Sequence, residues 1–144
     1  MSSRSRAREQ ALQILYLIDL AGTPAEQALS MFRANFESNE EDFEFVKTLV
    51  QGVVTKKIAL DALIESHSEH WRLSRMPRVD RNVLRIGAFE LTGTPDVPTA
   101  VAIDEAIELG KKYGETRTPA FINGILDRIS KEVRDGVRST AGRG

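Results

Sequence analysis

An all-helical domain organised around one central helix is the fold this sequence predicts. Three observations carry that prediction. Apolar residues recur at steps of three and four along the chain. The strict alternation of a half-buried strand is missing. And the stretch Val79 to Leu91, VDRNVLRIGAFEL, presents Val79, Val83 and Ile86 as one apolar row and Leu84, Ala88 and Leu91 as the adjoining one, a face broad enough to be core. Asp80, Arg81, Arg85 and Glu90 flank that face. The stretch is entered through Arg75, Met76, Pro77 and Arg78, where the proline fixes the approach to the first turn. It is closed by Thr92, Gly93, Thr94 and Pro95, with a further proline at Pro98.

A chain of 144 residues suits one domain burying roughly two thirds of its unfolded surface. Aromatics make up only 6% of it, which leaves aliphatic side chains to fill the interior. Cysteine is absent, which excludes disulfides, thiolate chemistry and Cys-based zinc sites and fits a reducing compartment, so the cytoplasm is expected. No signal-type apolar run follows the N-terminus and no stretch reaches the roughly 18 apolar residues of a membrane helix. The net charge of −1 hides an uneven distribution. Arg4, Arg6 and Arg8 stand at the start with no acid among them, Glu37, Glu40, Glu41, Asp42 and Glu44 form an acidic run, and Arg72, Arg75, Arg78, Arg81 and Arg85 face Asp80 alone.

The first helix is predicted from about Ser5 to Leu20, with Ala7, Ala11, Leu12, Ile14, Leu15 and Ile18 inward and Gly22 as its stop. Its basic first turn opposes the backbone dipole, so either those arginines serve a ligand or the terminus is frayed and solvated. Thr23, Pro24, Ala25 and Glu26 form a capping box for a second helix reaching about Phe36. Asn39 caps a third, with Glu40, Glu41 and Asp42 in its first turn. Phe43, Val46, Leu49, Val50, Val53, Val54, Ile58, Leu60, Leu63 and Ile64 form its inward side, and its length predicts a kink at Gly52 or at Lys56-Lys57. Trp71 anchors the connection that follows. Beyond the central helix, Val97 to Tyr113 holds Val101, Ala102, Ile103, Ala106, Ile107 and Leu109 inward, and Lys111-Lys112 close it before Gly114. Thr118-Pro119 opens the last helix, with Phe121, Ile122, Ile125, Leu126, Ile129 and Val133 inward and Phe121, in the first turn, half covered. Residues 135 to 144 read as a loose tail. Gly87 and Gly110 stand in helix interiors and soften each by up to about 1 kcal/mol.

Chemistry-bearing patterns are scarce. His67 and His70 share a helical face but lack a third metal ligand in a recognisable pattern and read as surface residues. Asp104, Glu105 and Glu108 lie off the apolar stripe with Lys111 and Lys112 as partners, which reads as a solvated face. No phosphate loop, dinucleotide glycine pattern, nucleophile with a base partner or zinc box is present, so no catalytic residue, metal or cofactor is expected. A basic N-terminus, a basic band about the central helix and an acidic run are the profile of a binding module for nucleic acid and protein.

RAREQALQILY at residues 6 to 16, VDRNVLRIGAFEL at 79 to 91, DVPTAVAIDEAIELGKKYG at 96 to 114 and FINGILDRI at 121 to 129 together resemble the transcription antitermination factor NusB family, in its order and spacing. The resemblance implies two small helical bundles packed crosswise around the central helix, about 1 to 68 and 77 to 134, hinged near 66 to 77. It implies a non-enzymatic factor that pairs with NusE, itself a small-subunit ribosomal protein, and with it binds single-stranded boxA RNA, so that RNA polymerase in the antitermination complex passes terminators in ribosomal RNA operons. By the same resemblance Arg4, Arg6, Arg8 and the aromatic Phe121 contact RNA, while Asp80 and Arg81 match an acidic-basic pair whose acid faces NusE. Phe121 keeps two readings, stacking platform or core. A homodimer, or a purely protein-binding helical module that hides its basic face, stands as the alternative, as does the NusB-like domain that precedes some ribosomal RNA cytosine methyltransferases.

Overall fold

The computed structural model describes residues 3–35, 39–69 and 72–135, and within them every regular element is helical. In order they are α1 (Ser3–Ala21), α2 (Ala25–Asn35), α3 (Glu40–Thr55), α4 (Lys57–Ser66), α5 (Arg78–Gly93), α6 (Thr99–Tyr113) and α7 (Thr118–Ser130). A single 3-10 turn, Leu73–Arg75, precedes α5, and a π-type turn, Lys131–Asp135, ends the described chain. The predicted tail and Trp71 with His70 lie outside the described residues, apart from Asp135.

The helix ends follow from their local chemistry. Gly22 takes a φ of 70°. Its N–H donates to the Ile18 carbonyl at 2.9 Å, the left-handed stop that a residue without Cβ adopts at no steric cost. Asn39 caps α3, its side-chain oxygen accepting from the Asp42 N–H at 2.8 Å. Glu26, expected to reach back in a capping box, instead accepts from the Gln51 side chain at 2.8 Å and links α2 to α3. The long third helix is broken at Lys56, the second of the two expected positions, and α4 restarts in a new register. Leu60 and Ile64 then face inward, while Ile58, expected in the core, is 90% exposed and Val54 is exposed as well. On α6, Val101 is likewise exposed rather than inward.

α5 touches α1, α3, α4, α6 and α7, so it is the wall against which both halves of the chain pack. From Asn82 to Leu91 every residue is buried. An amphipathic helix with a solvated charged side was expected, and the structure departs from that: Asp80, Asn82, Arg85 and Glu90 are buried together with the apolar rows. Close packing at this helix requires glycine. A Cβ on Gly52 of α3 would lie 2.2 Å from the Phe89 ring, and one on Gly87 2.6 Å from a Leu126 methyl. Gly52 is thus not the kink but the slot for Phe89, and Gly87, expected only to soften its helix, lets α7 approach α5.

Gly52→Ala therefore sets a gain of about 1 kcal/mol in helix propensity against overpacking of about 1 to 3 kcal/mol, because the buried Phe89 ring has nowhere to move. Urea unfolding should show a net loss of stability. A variant as stable as the wild type would mean that the ring is not seated on Gly52.

Candidate nucleic-acid interface

The N-terminal arginines lie in the first turns of α1, and the structure separates them. Arg4 is exposed, with its guanidinium 4.5 Å from the centre of the Phe45 ring on α3. Arg6 is exposed. Arg8 is 2% exposed and donates through Nε to both Glu90 carboxylate oxygens, at 3.0 and 3.1 Å, with Nη2 2.9 Å from Oε1. Its Nη1 stands 3.6 Å from Glu105 on α6. Arg8 was expected to face RNA with the other two, but in this fold it joins α1 to α5. Burial pushes the Glu90 carboxyl above the usual range, against the lowering by the Arg8 hydrogen bond and charge; the bidentate geometry argues for an ionised pair.

The pair expected at the protein partner is also drawn inward. Arg81 donates to Asp19 of α1 from Nε at 2.7 Å and Nη2 at 2.9 Å, and Asn82 donates to the same carboxylate at 3.0 Å. Arg85 continues the network, donating to Asp61 of α4 at 2.7 and 3.1 Å and approaching Asp19 at 3.5 Å. Burial raises the Asp19 pKa, but the hydrogen bonds from Arg81 and Asn82 and the charges of Arg81 and Arg85 outweigh it and hold the carboxyl below its ordinary value. Of the basic band about the central helix, Arg85 is thus buried and Arg81 half-buried, and Arg72, Arg75 and Arg78 remain exposed.

Asp80 is 5% exposed in the first turn of α5, and its Oδ1 accepts from the Thr118 hydroxyl at 3.1 Å. Burial raises its pKa and the Glu115 charge adds to that, while Thr118, Arg117 and a backbone hydrogen bond lower it; the net shift is upward. Asp80 and Phe121 share one cavity of about 130 Å³, whose other walls are Arg75, Met76, Pro77 and Arg117. Phe121 is half-buried, packed against the core by one side and open to the cavity by the other. Two residues expected to serve different partners therefore meet at one opening. Arg117 was not singled out from the sequence, because a basic residue ahead of a helix carries no periodic signal that would have marked it.

The N-terminal turn and this cavity are joined across α6. Lys112 at its end donates to Glu9 of α1 at 2.7 Å, and Glu115 in the turn beyond donates its N–H to the Thr118 hydroxyl at 2.9 Å. His67, expected at the surface, is partly buried, with Nε2 2.9 Å from Glu132. No group of three or more metal-binding side chains occurs among the described residues, and no described helix is long and apolar enough to cross a membrane.

Known proteins are similar to this chain in sequence and in fold. The sequence model of the NusB family matches residues 5–131. The transcription antitermination protein NusB of Myxococcus xanthus is 48% identical over 134 residues, covering 90% of this chain and 96% of that protein. Its counterpart in Anaeromyxobacter dehalogenans strain 2CP-C is 52% identical over 130 residues, covering 90% and 91%. Among solved structures, NusB of T. maritima superposes with a TM-score of 0.85 at 34% identity, covering 94% of this chain and 96% of that one. A chain from a complex of antitermination factors NusB and NusE with double-stranded RNA superposes with a TM-score of 0.81 at 30% identity, covering 91% and 98%.

The division of the arginines can be measured. Arg8→Ala leaves Glu90 buried without its partner and should cost about 3 to 5 kcal/mol, whereas Arg6→Ala should stay within about 0.5 kcal/mol of wild type. Equal losses in thermal melts would contradict the separation. Asp19, half-buried, and Asp80, buried, should differ in their response to pH. Asp19 is lowered on folding, so its stabilisation is present above the unfolded carboxyl pKa and is lost as pH falls through the folded value. Asp80 is raised, so its contribution is present below the unfolded pKa and is lost as pH rises through the folded value. Below about pH 5, the stability of wild type relative to Asp19→Asn should rise with pH, and above about pH 3 its stability relative to Asp80→Asn should fall. Urea titrations giving the same slope for both would refute these environments.

Proposed function

The chain belongs to the NusB family, and from that membership we propose that it is a transcription antitermination factor that binds boxA RNA together with NusE and so promotes transcription of ribosomal RNA operons. The observation that carries this reading is the match over nearly the whole chain to proteins named for antitermination. The likeness to a chain solved with NusE and RNA supports the two partners. In this reading the protein acts in the cytoplasm as a regulator rather than an enzyme, within the RNA polymerase antitermination complex.

Single-stranded RNA offers phosphates and unstacked bases, and the proposed interface has a group for each. Arg4 and Arg6 serve the phosphates from the exposed start of α1. Phe121 offers the open side of its ring to a base. Arg8 serves as a positioning residue, since its bond to Glu90 fixes the helix from which Arg4 and Arg6 project. NusE is proposed to meet the chain at the entrance of α5, over the edge where Asp80 and Arg81 stand, with Arg81 acting through the Asp19 it holds.

The test is a titration of boxA RNA, with and without NusE, across a salt series. Two phosphates neutralised by Arg4 and Arg6 contribute about −1.4 to the slope of log K against log salt, at about 0.7 for each phosphate on a single strand. Changing both to alanine should flatten the slope by that amount and leave the helical circular dichroism intact, since both side chains are exposed. An unchanged slope would remove the α1 terminus from the interface, and absence of RNA binding with NusE present would refute the function.

A further inference from the structure

We propose that His67 is a pH-sensitive clasp. With both ring nitrogens protonated it ties the end of α4 to the turn that follows α7, and with one proton lost it lets that turn go.

α4 ends on His67, and its last turn contains no basic residue to meet the carbonyls left open there. Two groups supply the missing charge. Arg128 of α7 donates to the His67 carbonyl from Nε at 3.1 Å and from Nη2 at 2.8 Å. The His67 ring turns back on its own helix, with Nδ1 2.9 Å from the Leu63 carbonyl oxygen. Its other nitrogen, Nε2, lies 2.9 Å from Oε2 of Glu132 in the turn after α7. The connection to α5 leaves from this point, and it is held in turn by Glu65, whose carboxylate accepts from the Leu73 N–H at 2.9 Å. His67 thus touches both halves of the chain where the one passes into the other.

The partners of the ring fix how many protons it carries. A peptide carbonyl and a carboxylate only accept, so a ring nitrogen that faces either must donate. The Ser66 hydroxyl, 3.0 Å from Nδ1, does not alter this, because its own proton is directed to the Leu63 carbonyl at 2.8 Å. Both nitrogens donate, and the clasped ring is an imidazolium. A neutral ring keeps one proton and sets a lone pair against an acceptor on its other side. Nδ1 is held inside the last turn of α4, so the contact given up is the one to Glu132, which is mostly exposed and has water to turn to. Other charges stand nearby. Arg128 opposes a charged ring, while the Glu132 carboxylate and the negative end of the α4 dipole favour it, and Glu132 is the one in direct contact. Asp127 is engaged by Lys131 at 3.1 Å and Glu65 by the Leu73 N–H, and Glu69 lies two residues further along the chain. Histidine is the side chain whose charge ordinarily changes between about pH 5 and 8, so the clasp is closed at the acid end of that range and its contribution fades as pH rises.

The experiment is amide hydrogen exchange by NMR on the full chain at about pH 5 and pH 8, with rates corrected for the intrinsic effect of pH. The N–H groups of His67 and Ser68 donate to the Ile64 and Glu65 carbonyls at 3.1 and 3.2 Å, so they report the opening of this turn. Loss of one partly exposed ion pair should raise their corrected exchange about threefold between the two conditions. Glu132→Gln, at a mostly exposed position that leaves the fold intact, should abolish that rise, and so should His67→Gln. The chain has two histidines, so His70→Gln leaves the His67 ring as the only imidazole signal. Its 15N shifts should show protons on both nitrogens at about pH 5 and on Nδ1 alone at about pH 8. Corrected exchange that is equal at both values in the wild type overturns the proposal. The same rise in Glu132→Gln as in the wild type overturns it as well, and so does a neutral ring that keeps its proton on Nε2.

Discussion

α5 is enclosed by five other helices and nevertheless carries Asp80, Arg85 and Glu90 into the interior, and this constraint organises the rest of the fold. A charge taken out of water costs several kcal/mol after relaxation, so each must find a partner with good geometry. The partners come from distant parts of the chain: Arg8 and Asp19 from α1, Asp61 from α4 and Thr118 from α7. Each bond fixes both how far a helix slides along α5 and how it is turned about its axis. Apolar packing alone specifies these weakly, because neighbouring positions on an aliphatic stripe are alike. We read the buried pairs as setters of register, since attraction and desolvation nearly cancel while the loss of one partner does not.

Arginine is the residue that makes this arrangement possible, and the chain divides its arginines between two tasks. Arg8, Arg81 and Arg85 each meet a carboxylate through more than one hydrogen bond, a fork that lysine cannot reproduce. Arg134 uses the same fork on backbone oxygen, donating to the carbonyls of Leu91, Val97, Glu90 and Thr94 and so closing the C-terminal end of α5, where the dipole favours a cation. Arg4, Arg6, Arg75, Arg78 and Arg117 are exposed. The sum of charges in the sequence does not distinguish the two groups, and the basic band expected about α5 is smaller outside than its composition suggests.

What was legible in the sequence is what local physics decides. The apolar stripes, the Asn39 cap, the Gly22 stop and the proline-led starts of α5 and α7 were all readable, because each depends on residues within a turn or two. The half-covered state of Phe121 was readable as well, from its place at the edge of a stripe. The burial of Arg8, Arg85 and Glu90 was not. Charged residues flanking a stripe are usually solvated, and only the arrival of a helix from far along the chain converts them into buried partners. Ile58 failed for the opposite reason: the break at Lys56 shifted the register, so extending one helical phase from α3 carried it to the wrong side. The shared cavity of Asp80 and Phe121 joins the first turns of two different helices and has no signature in either segment.

The basic start of α1 divides in the same way. Three cations in the first turns oppose the positive end of the helix dipole, each at a cost of about 0.3 to 1 kcal/mol when exposed. Arg8 is withdrawn from that count by Glu90, to which it is bound more strongly than the dipole repels it. Arg4, one turn earlier on the same side, lies over the face of Phe45, whose ring centre also stands 5.3 Å from the Arg8 guanidinium. A cation over a ring gains about 0.5 to 1 kcal/mol at an exposed site. Arg6 is two residues from each and so points elsewhere, with no ion pair to it among the described residues. Its adverse charge is left uncompensated, and that of Arg4 is offset only in part by the ring. An anion outside the protein is the remaining group that can offset it, and a phosphate near a helix N-terminus meets the backbone dipole with the favourable sign as well. The first turn of α1 is therefore better suited to a bound polyanion than to water, since Arg8 alone is neutralised within the fold while Arg4, held over Phe45, and Arg6 keep their charges at the surface.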